Sequence, residues 1–204
     1  MARIDLDLVA KALARWPSHV IEGPDVERRA AVSAILREAE GDLQVLLIRR
    51  AEREGDPWSG HMAFPGGGHE ARDRDLEATA VRETLEEVGL RLDEHARLIG
   101  TLDDVRATAR GTVTGLVVTP FVFELRGAPP LNTSPEVSEI HWAALGPMFR
   151  GETAATIDYP WQGQTLKLPG FRIASSGRAR EEPIVWGLTH KMLAAFFARL
   201  RDEV

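Results

Sequence analysis

The segment from residue 75 to 88, DLEATAVRETLEEV, is the strongest constraint on how this chain can fold. Leu76, Ala80, Val81, Thr84, Leu85 and Val88 recur at spacings of three and four, which predicts a helix with one stripe against a core. Asp73 or Asp75 suits the N-cap, and Gly89 suits the left-handed position past the end. Glu83, Glu86 and Glu87 stand at i, i+3 and i+4, so their carboxylates project from one face, and Arg82 lies four residues before Glu86. Three such carboxylates repel one another unless they are solvated, paired with bases or bridged by a divalent cation, which takes hard oxygen ligands. A solvated acidic face is the ordinary reading of such a triplet. The preceding Phe64-Pro65-Gly66-Gly67-Gly68 shifts the balance, because a glycine run lets backbone approach a ligand closely. That run is expected to break regular structure.

Around this helix the pattern alternates. Residues 5–16 read as an amphipathic helix with Leu6, Val9, Ala10, Leu13 and Trp16 on one face and Pro17 as its stop, and 18–27 read as a linker. Strands are expected at 29–37 and 44–50, joined by a turn at Glu40-Gly41-Asp42, then near 97–102, at 113–125 and at 139–142. Residues 51–63, with Gly55, Pro57 and Gly60, read as a loop, 155–173 as a hairpin, and 184–200 as a terminal helix. Strands interspersed with helices indicate a layered α/β (α+β) domain. The organisation expected is an N-terminal helix and linker at 1–28 followed by one domain at 29–204.

Composition narrows the function. Lys plus Arg number 25 against 31 Asp plus Glu, a net charge of −6. That balance disfavours nucleic acid and anionic membrane as bulk partners. The absence of Cys removes disulfides, thiolate metal sites and a cysteine nucleophile. No apolar run approaches a membrane span, and Met1 to Asp7 interleaves acids with apolar residues, unlike a signal peptide. A cytoplasmic protein is expected. No dinucleotide-binding glycine fingerprint or P-loop is present.

The stretch Gly67-x5-Asp73-x8-Arg82-Glu83-Thr84-Leu85-Glu86-Glu87-Val88-Gly89-Leu90 resembles the Nudix box, G-x5-E-x7-R-E-U-x-E-E-x-G-U, where U is a bulky apolar residue. Thr84 replaces the first U, Asp73 replaces the first Glu, and one extra residue precedes Arg82. Phe64-Pro65-Gly66-Gly67, Leu102-Asp103-Asp104, Thr119-Pro120, Glu136-Val137 and Trp186-Gly187-Leu188-Thr189 look like the coenzyme A diphosphatase branch of that family. Its second signature, close to LLTxR(SA)x3Rx3Gx3FPGG, is met by Leu46 to Ala51 and Gly60 to Gly67. The loop between is one residue longer, and Asp56 stands where the second Arg would fall, with Arg53 nearby.

The resemblance implies an α/β/α sandwich with a central mixed sheet. It implies a hydrolase that uses Mg²⁺ or Mn²⁺ to split the diphosphate of a nucleoside diphosphate derivative. Coenzyme A or acyl-coenzyme A is the first expectation; ADP-ribose, NADH or dinucleoside polyphosphates are the alternative, and a non-catalytic nucleotide-binding module is the other class. Glu83, Glu86, Glu87 and the Gly67 backbone are the implied metal ligands, and Arg82 orients the carboxylates. Glu83 and Glu136 are the candidate general bases. Arg50, Arg53, His61, Gly66 and Gly67 are the candidate substrate contacts. Trp58 and Trp161, placed in loops, are candidates to stack on a base, and Asp103 and Asp104 are either metal-related or turn caps. The expected partner is a small-molecule nucleotide diphosphate, with no nucleic acid or membrane, and the family is often homodimeric.

Overall fold

The computed structural model describes residues 3–56, 58–109, 112–174 and 183–203. Met1, Ala2 and Pro57, which the sequence reading used, lie outside the described residues. Helix α1 spans Leu6–Arg15, strands β1 and β2 Arg28–Ala39 and Asp42–Arg50, β3 Met62–Ala63 and β4 Gly66–Gly68. Helices α2 and α3 follow at Leu76–Val88 and Leu92–His95, then β5 Ala96–Thr101, β6 Val105–Ala109, β7 Thr112–Leu125 and β8 Val137–Ala144. Helix α4 is Leu145–Phe149, β9 Ala154–Trp161, β10 Gln164–Arg172, β11 Ile184–Trp186 and α5 Gly187–Arg201.

The central sheet runs β3-β2-β1-β7-β5, with β4 also on β1, β6 on β7 and β8 on β2. Only β1 and β7 pair in parallel among its described ladders, so the sheet is mixed. Side chains alternate across it. Ala34, Leu36, Val45 and Leu47 face one core with Val9 and Leu13 of α1 and Leu193 and Phe197 of α5. Ala31, Ile35, Leu46 and Ile48 face the other core with Ala80 and Val88 of α2. Helices therefore cover both faces, as the α/β/α sandwich requires. A second antiparallel sheet, β11-β10-β9, stands beside it.

Several expectations are corrected. Gly66–Gly68 does not break structure but forms β4, pairing Ala30 to Val32 of β1, because a bare backbone can sit where a side chain cannot. The Gly66 φ is +152°, and a Cβ there would lie 2.3 Å from the Ala31 carbonyl oxygen. Residues 184–186 are strand rather than helix, since Gly170 to Arg172 offer them a sheet edge. Met62–Ala63, inside the expected loop, pairs with Ile48 and Arg49. Val105–Ala109, β6, was not anticipated from sequence and doubles back on β7. Leu85 is 41% exposed and Trp16 43%, so neither belongs to its helix's core stripe. Val9, Ala12 and Leu13 form the buried stripe of α1 instead. Trp161 closes β9 rather than sitting in a loop.

The 18–27 segment is fastened by acids. Asp104, buried, accepts from the Ile21 N–H at 2.9 Å, the Thr119 hydroxyl at 2.6 Å and Arg29 at 3.2 Å, and Asp103 accepts from the His19 N–H at 2.6 Å. Structural duty accounts for both residues.

Thr84 has an equally local reason. It is fully buried under β1, with its hydroxyl 2.9 Å from Ser33 Oγ and 2.8 Å from the Ala80 carbonyl, while Ser33 Oγ donates to the same carbonyl. A polar clasp replaces a bulky apolar contact between α2 and β1. Thr84→Val should cost about 1 kcal/mol, and denaturation of the Ser33→Ala/Thr84→Val cycle should give a coupling of about 0.5 kcal/mol or more. Strict additivity would show that the clasp does not act as a unit.

Candidate active site

Helix α2 begins where Asp75 accepts the Ala78 N–H at 2.7 Å and ends at Gly89, whose φ is +68°. Asp73, the other N-cap candidate, is used elsewhere. Its two oxygens take Nε and Nη2 of Arg82 at 2.8 and 2.9 Å. Arg82 also reaches Glu83 at 2.8 Å, Glu86 at 3.1 Å and the Gly68 carbonyl at 3.0 Å. The guanidinium therefore ties the strand of glycines to the acid face of the helix. Its bonds hold the Asp73 carboxyl well below the usual carboxylate range, and the same bonds raise Arg82 above its own.

Glu87 behaves differently. Its side chain is buried, and one oxygen accepts the Gly66 N–H at 2.9 Å. Burial pushes its carboxyl up to about 7, although the Gly66 bond and the Arg50 charge oppose that rise. Burial also raises Glu83, against the pull of Arg82. Gly67 abuts Glu83 so closely that a Cβ would lie 2.5 Å from its carboxylate. Glu86, by contrast, is exposed and bonded to Arg72 at 3.2 Å as well as to Arg82. Among the described residues, no three acidic or histidine side chains converge into a ready-made ion cage.

Glu136 reaches the same neighbourhood from a distant part of the chain. The end of α2 holds its loop: Asn132 and Ser134 donate backbone N–H groups to the Val88 and Glu87 carbonyls at 3.0 and 3.1 Å. The Ala51 N–H then binds the Glu136 carbonyl at 2.8 Å. The Glu136 charge contributes to the raised values of both Glu83 and Glu87. Its own carboxylate is half exposed and paired with Arg53 at 3.0 Å.

Three arginines on the loop side of the glycine strand have carboxylate partners: Arg49 has Glu139 at 3.3 Å, Arg50 has Asp56 at 2.9 Å and Arg53 has Glu136. Asp56 also accepts the Trp58 N–H at 2.9 Å. Burial works against its charge, but the Arg50 and Trp58 bonds hold it below the ordinary carboxylate value. Arg50 is still incompletely served, because its Nε is buried without a partner. Together Arg50, His61, Gly66 and Gly67 line a cleft of about 700 Å³ that continues past Leu116, Val118 and Met192.

Of the residues expected at the site, Arg50, His61, Gly66 and Gly67 line the cleft, and Glu87 and Glu83 stand on α2 directly against Gly66 and Gly67. Trp58 lines the cleft too, whereas Trp161 lines a neighbouring cavity. The role of Asp56 as the Arg50 partner was missed, since a six-residue separation in a loop carries no pairing signal. Trp186 at the cleft wall was missed for another reason: it was read as the buried side of a helix.

A NUDIX domain model matches residues 27–161. A Nudix hydrolase NudL of Citrobacter koseri is 32% identical over 175 residues, covering 83% of this chain and 81% of its own. Nudix hydrolase 15, mitochondrial, of Arabidopsis thaliana is 30% identical over 170 residues, 81% of this chain and 56% of that protein. A protein of Schizosaccharomyces pombe is 42% identical over 116 residues, 55% of this chain and 35% of its own length. This chain therefore spans only about a third to somewhat over half of those last two relatives. Among solved structures, a MutT/nudix family protein from Enterococcus faecalis shares the fold, with a TM-score of 0.54 and 19% identity over 98% of this chain and 70% of that one. No described helix is long and apolar enough to cross a membrane. With two-thirds of its length matched by the domain model and the glutamate helix set against the glycine strand, the chain belongs to the Nudix hydrolase family.

Proposed function

We propose that the protein is a divalent-metal-dependent diphosphatase that hydrolyses coenzyme A or acyl-coenzyme A to 3′,5′-ADP and the corresponding 4′-phosphopantetheine. The observation that carries the reaction class is the buried Glu87 carboxylate, its pKa raised by burial and one oxygen set against the N–H of Gly66, a residue that lines the cleft. A carboxylate kept there at such a cost in desolvation fits a site that receives a cation.

The donor set suits Mg²⁺ or Mn²⁺: Glu83, Glu86, Glu87 and the Gly67 backbone offer only hard oxygens. When bound, such an ion lowers the pKa of water and offsets the charge of the diphosphate. The chain supplies the rest. Arg82 holds Glu83 and Glu86 in place through its bonds at 2.8 and 3.1 Å. Arg50, which lines the cleft with Gly66 and Gly67, is the cation that would meet the diphosphate. Glu83 and Glu136 are the candidate bases that take the proton as the water oxygen bonds to phosphorus and the bridging P–O bond breaks, leaving two phosphate monoesters. A pH–rate profile of Glu136→Gln that matches the wild type would assign the proton to Glu83.

The Arg50–Asp56 pair favours a second reading for the substrate. Asp56, which stands where the coenzyme A signature carries its second Arg, occupies Arg50 in an ion pair, so ADP-ribose, NADH or a dinucleoside polyphosphate is the alternative. Product analysis by mass spectrometry with all four substrate types, with and without Mg²⁺, decides. Release of 3′,5′-ADP supports the first proposal; turnover of another substrate alone supports the second. Tight binding without cleavage of any would make the protein a nucleotide-binding module. Asp56→Asn, which keeps an acceptor for the Trp58 N–H, should lower KM for coenzyme A about two- to fivefold with little change in kcat. An unchanged KM would show that Asp56 does not compete.

Glu87→Gln should abolish turnover with the fold intact; near wild-type activity would remove Glu87 from the ligand set. The same variant tests the electrostatics. With its carboxyl raised from 4.5 to about 7, the folded protein binds a proton that the unfolded chain has already released in that range. Stability without metal therefore falls as pH rises through that window and levels off above it, by up to about 3 kcal/mol. In EDTA at pH 8, thermal denaturation should show Glu87→Gln more stable than the wild type. Mg²⁺ should raise the Tm of the wild type only.

A further inference from the structure

The two ends of the glycine strand are held differently. Gly66 gives its N–H to Glu87, and Gly67 abuts the Glu83 carboxylate, but a Cβ at Gly68 would meet nothing within 4 Å. Packing therefore leaves that end open, and hydrogen bonds must fix it. Glycine has the widest backbone freedom of any residue, and a Gly67 carbonyl can serve a cation only if the strand keeps one conformation. The first side chain after the run is His69, which lines the cleft and is about one-third exposed. Its N–H extends the β4–β1 pairing to the Arg29 carbonyl at 2.9 Å, and its Nδ1 lies 2.8 Å from the Thr79 hydroxyl.

Counting hydrogens gives that last bond its direction. Thr79 is fully buried, with its Oγ 2.9 Å from Asp73 Oδ2 and 3.2 Å from the Asp75 carbonyl. Neither oxygen has a hydrogen to give, since Arg82 keeps the Asp73 carboxyl ionised. The single hydroxyl hydrogen goes to one of them, so Thr79 Oγ accepts from the Nδ1–H of His69. From Asp73 the bonds pass through Nε and Nη2 of Arg82, which also takes the Gly68 carbonyl at 3.0 Å. A ring of hydrogen bonds thus starts and ends on the adjacent residues Gly68 and His69. The same guanidinium holds Glu83 and Glu86. We propose that His69 is a positioning residue whose Nδ1–H, through Thr79, Asp73 and Arg82, aligns the glycine-strand carbonyls with the Glu83 and Glu86 carboxylates for a divalent cation. The inference rests on the metal-dependent reading of this site.

Calorimetric titration with Mn²⁺ in the absence of nucleotide reads this alignment with no turnover involved. Asn at 69 presents an amide N–H where Nδ1–H stands, whereas Gln presents it at the Nε2 end of the ring. His69→Ala and His69→Gln should weaken Mn²⁺ binding about three- to tenfold, and His69→Asn should stay within about twofold of the wild type. Thr79→Val breaks the same relay, so adding it to His69→Ala should weaken binding little further. A merely structural His69 would move the Tm of its variants and leave the Mn²⁺ affinity of the folded protein unchanged, which would overturn the proposal. Equal weakening by Ala, Gln and Asn would overturn it too, because the Nδ1–H would then not be the acting group. Should His69→Ala fail to fold, the contrast between Asn and Gln carries the test. Failure of the wider reading looks different. No Mn²⁺ binding to the wild type removes the metal-dependent reading and this proposal together, whereas Mn²⁺ bound alike by wild type and variants removes the proposal alone. Graded Mn²⁺ affinity in a protein that cleaves no diphosphate keeps the role of His69 and removes the enzyme.

Discussion

Arg82 is the contact on which the candidate site depends. One guanidinium binds Asp73 through two donors, reaches Glu83 and Glu86 on its own helix, and takes the Gly68 carbonyl from the glycine strand. Acids that would repel one another on a bare helix face are thereby held together before any cation arrives. The planar fork does what a lysine could not, because it serves several oxygens in fixed directions at once. The bonds also explain how the chain tolerates its departure from the Nudix box. Asp73 is one carbon shorter than Glu and one residue further from Arg82, and it still meets both donors at ordinary distances.

The glycine strand is the other half of the arrangement. β4 lies against β1 with no side chain between, so Gly66 can present its N–H to Glu87 and Gly67 can sit against Glu83. A side chain at either position would collide with the β1 backbone or with the carboxylate. The loop bearing Glu136 is drawn in by the free carbonyls at the end of α2, which take the Asn132 and Ser134 N–H groups. Helix termini leave such acceptors unmet, and here that need brings a distant glutamate to the site. The negative net charge of the chain is no obstacle to an anionic ligand, because these acids are partly offset by Arg82 and Arg50 and suit cations.

Legibility from sequence followed the range of the interaction. The apolar period of α2, an aspartate cap at 73 or 75, of which Asp75 serves, and the Gly89 stop are local patterns and were readable, whereas burial of Glu87 on Gly66 and exposure of Glu86 beside Arg72 were not. The tight turn at Glu40 and Gly41, where φ is +55° and +80°, and the β9–β10 hairpin were readable as well. Errors fell where a partner strand decided the state. Gly66–Gly68 and Ile184–Trp186 have little intrinsic strand preference, and each became strand because a neighbouring edge stood ready for pairing. Leu85 fits the helical period yet faces outward, since the core stripe is narrower than the pattern of apolar residues.

By itself the sequence determined the layered α/β class, the acid helix with its caps, and the glycine run before it, because helix period, capping and glycine permissiveness act within a few residues. The tertiary structure decided which charges meet. It set Asp56 on Arg50 and Glu136 on Arg53, buried Glu87 enough to raise its pKa, and joined Trp186 of a short strand to His61 of a loop. Those outcomes depend on desolvation and on distances between segments far apart in the chain. Neither quantity exists until the sheet has brought the segments together.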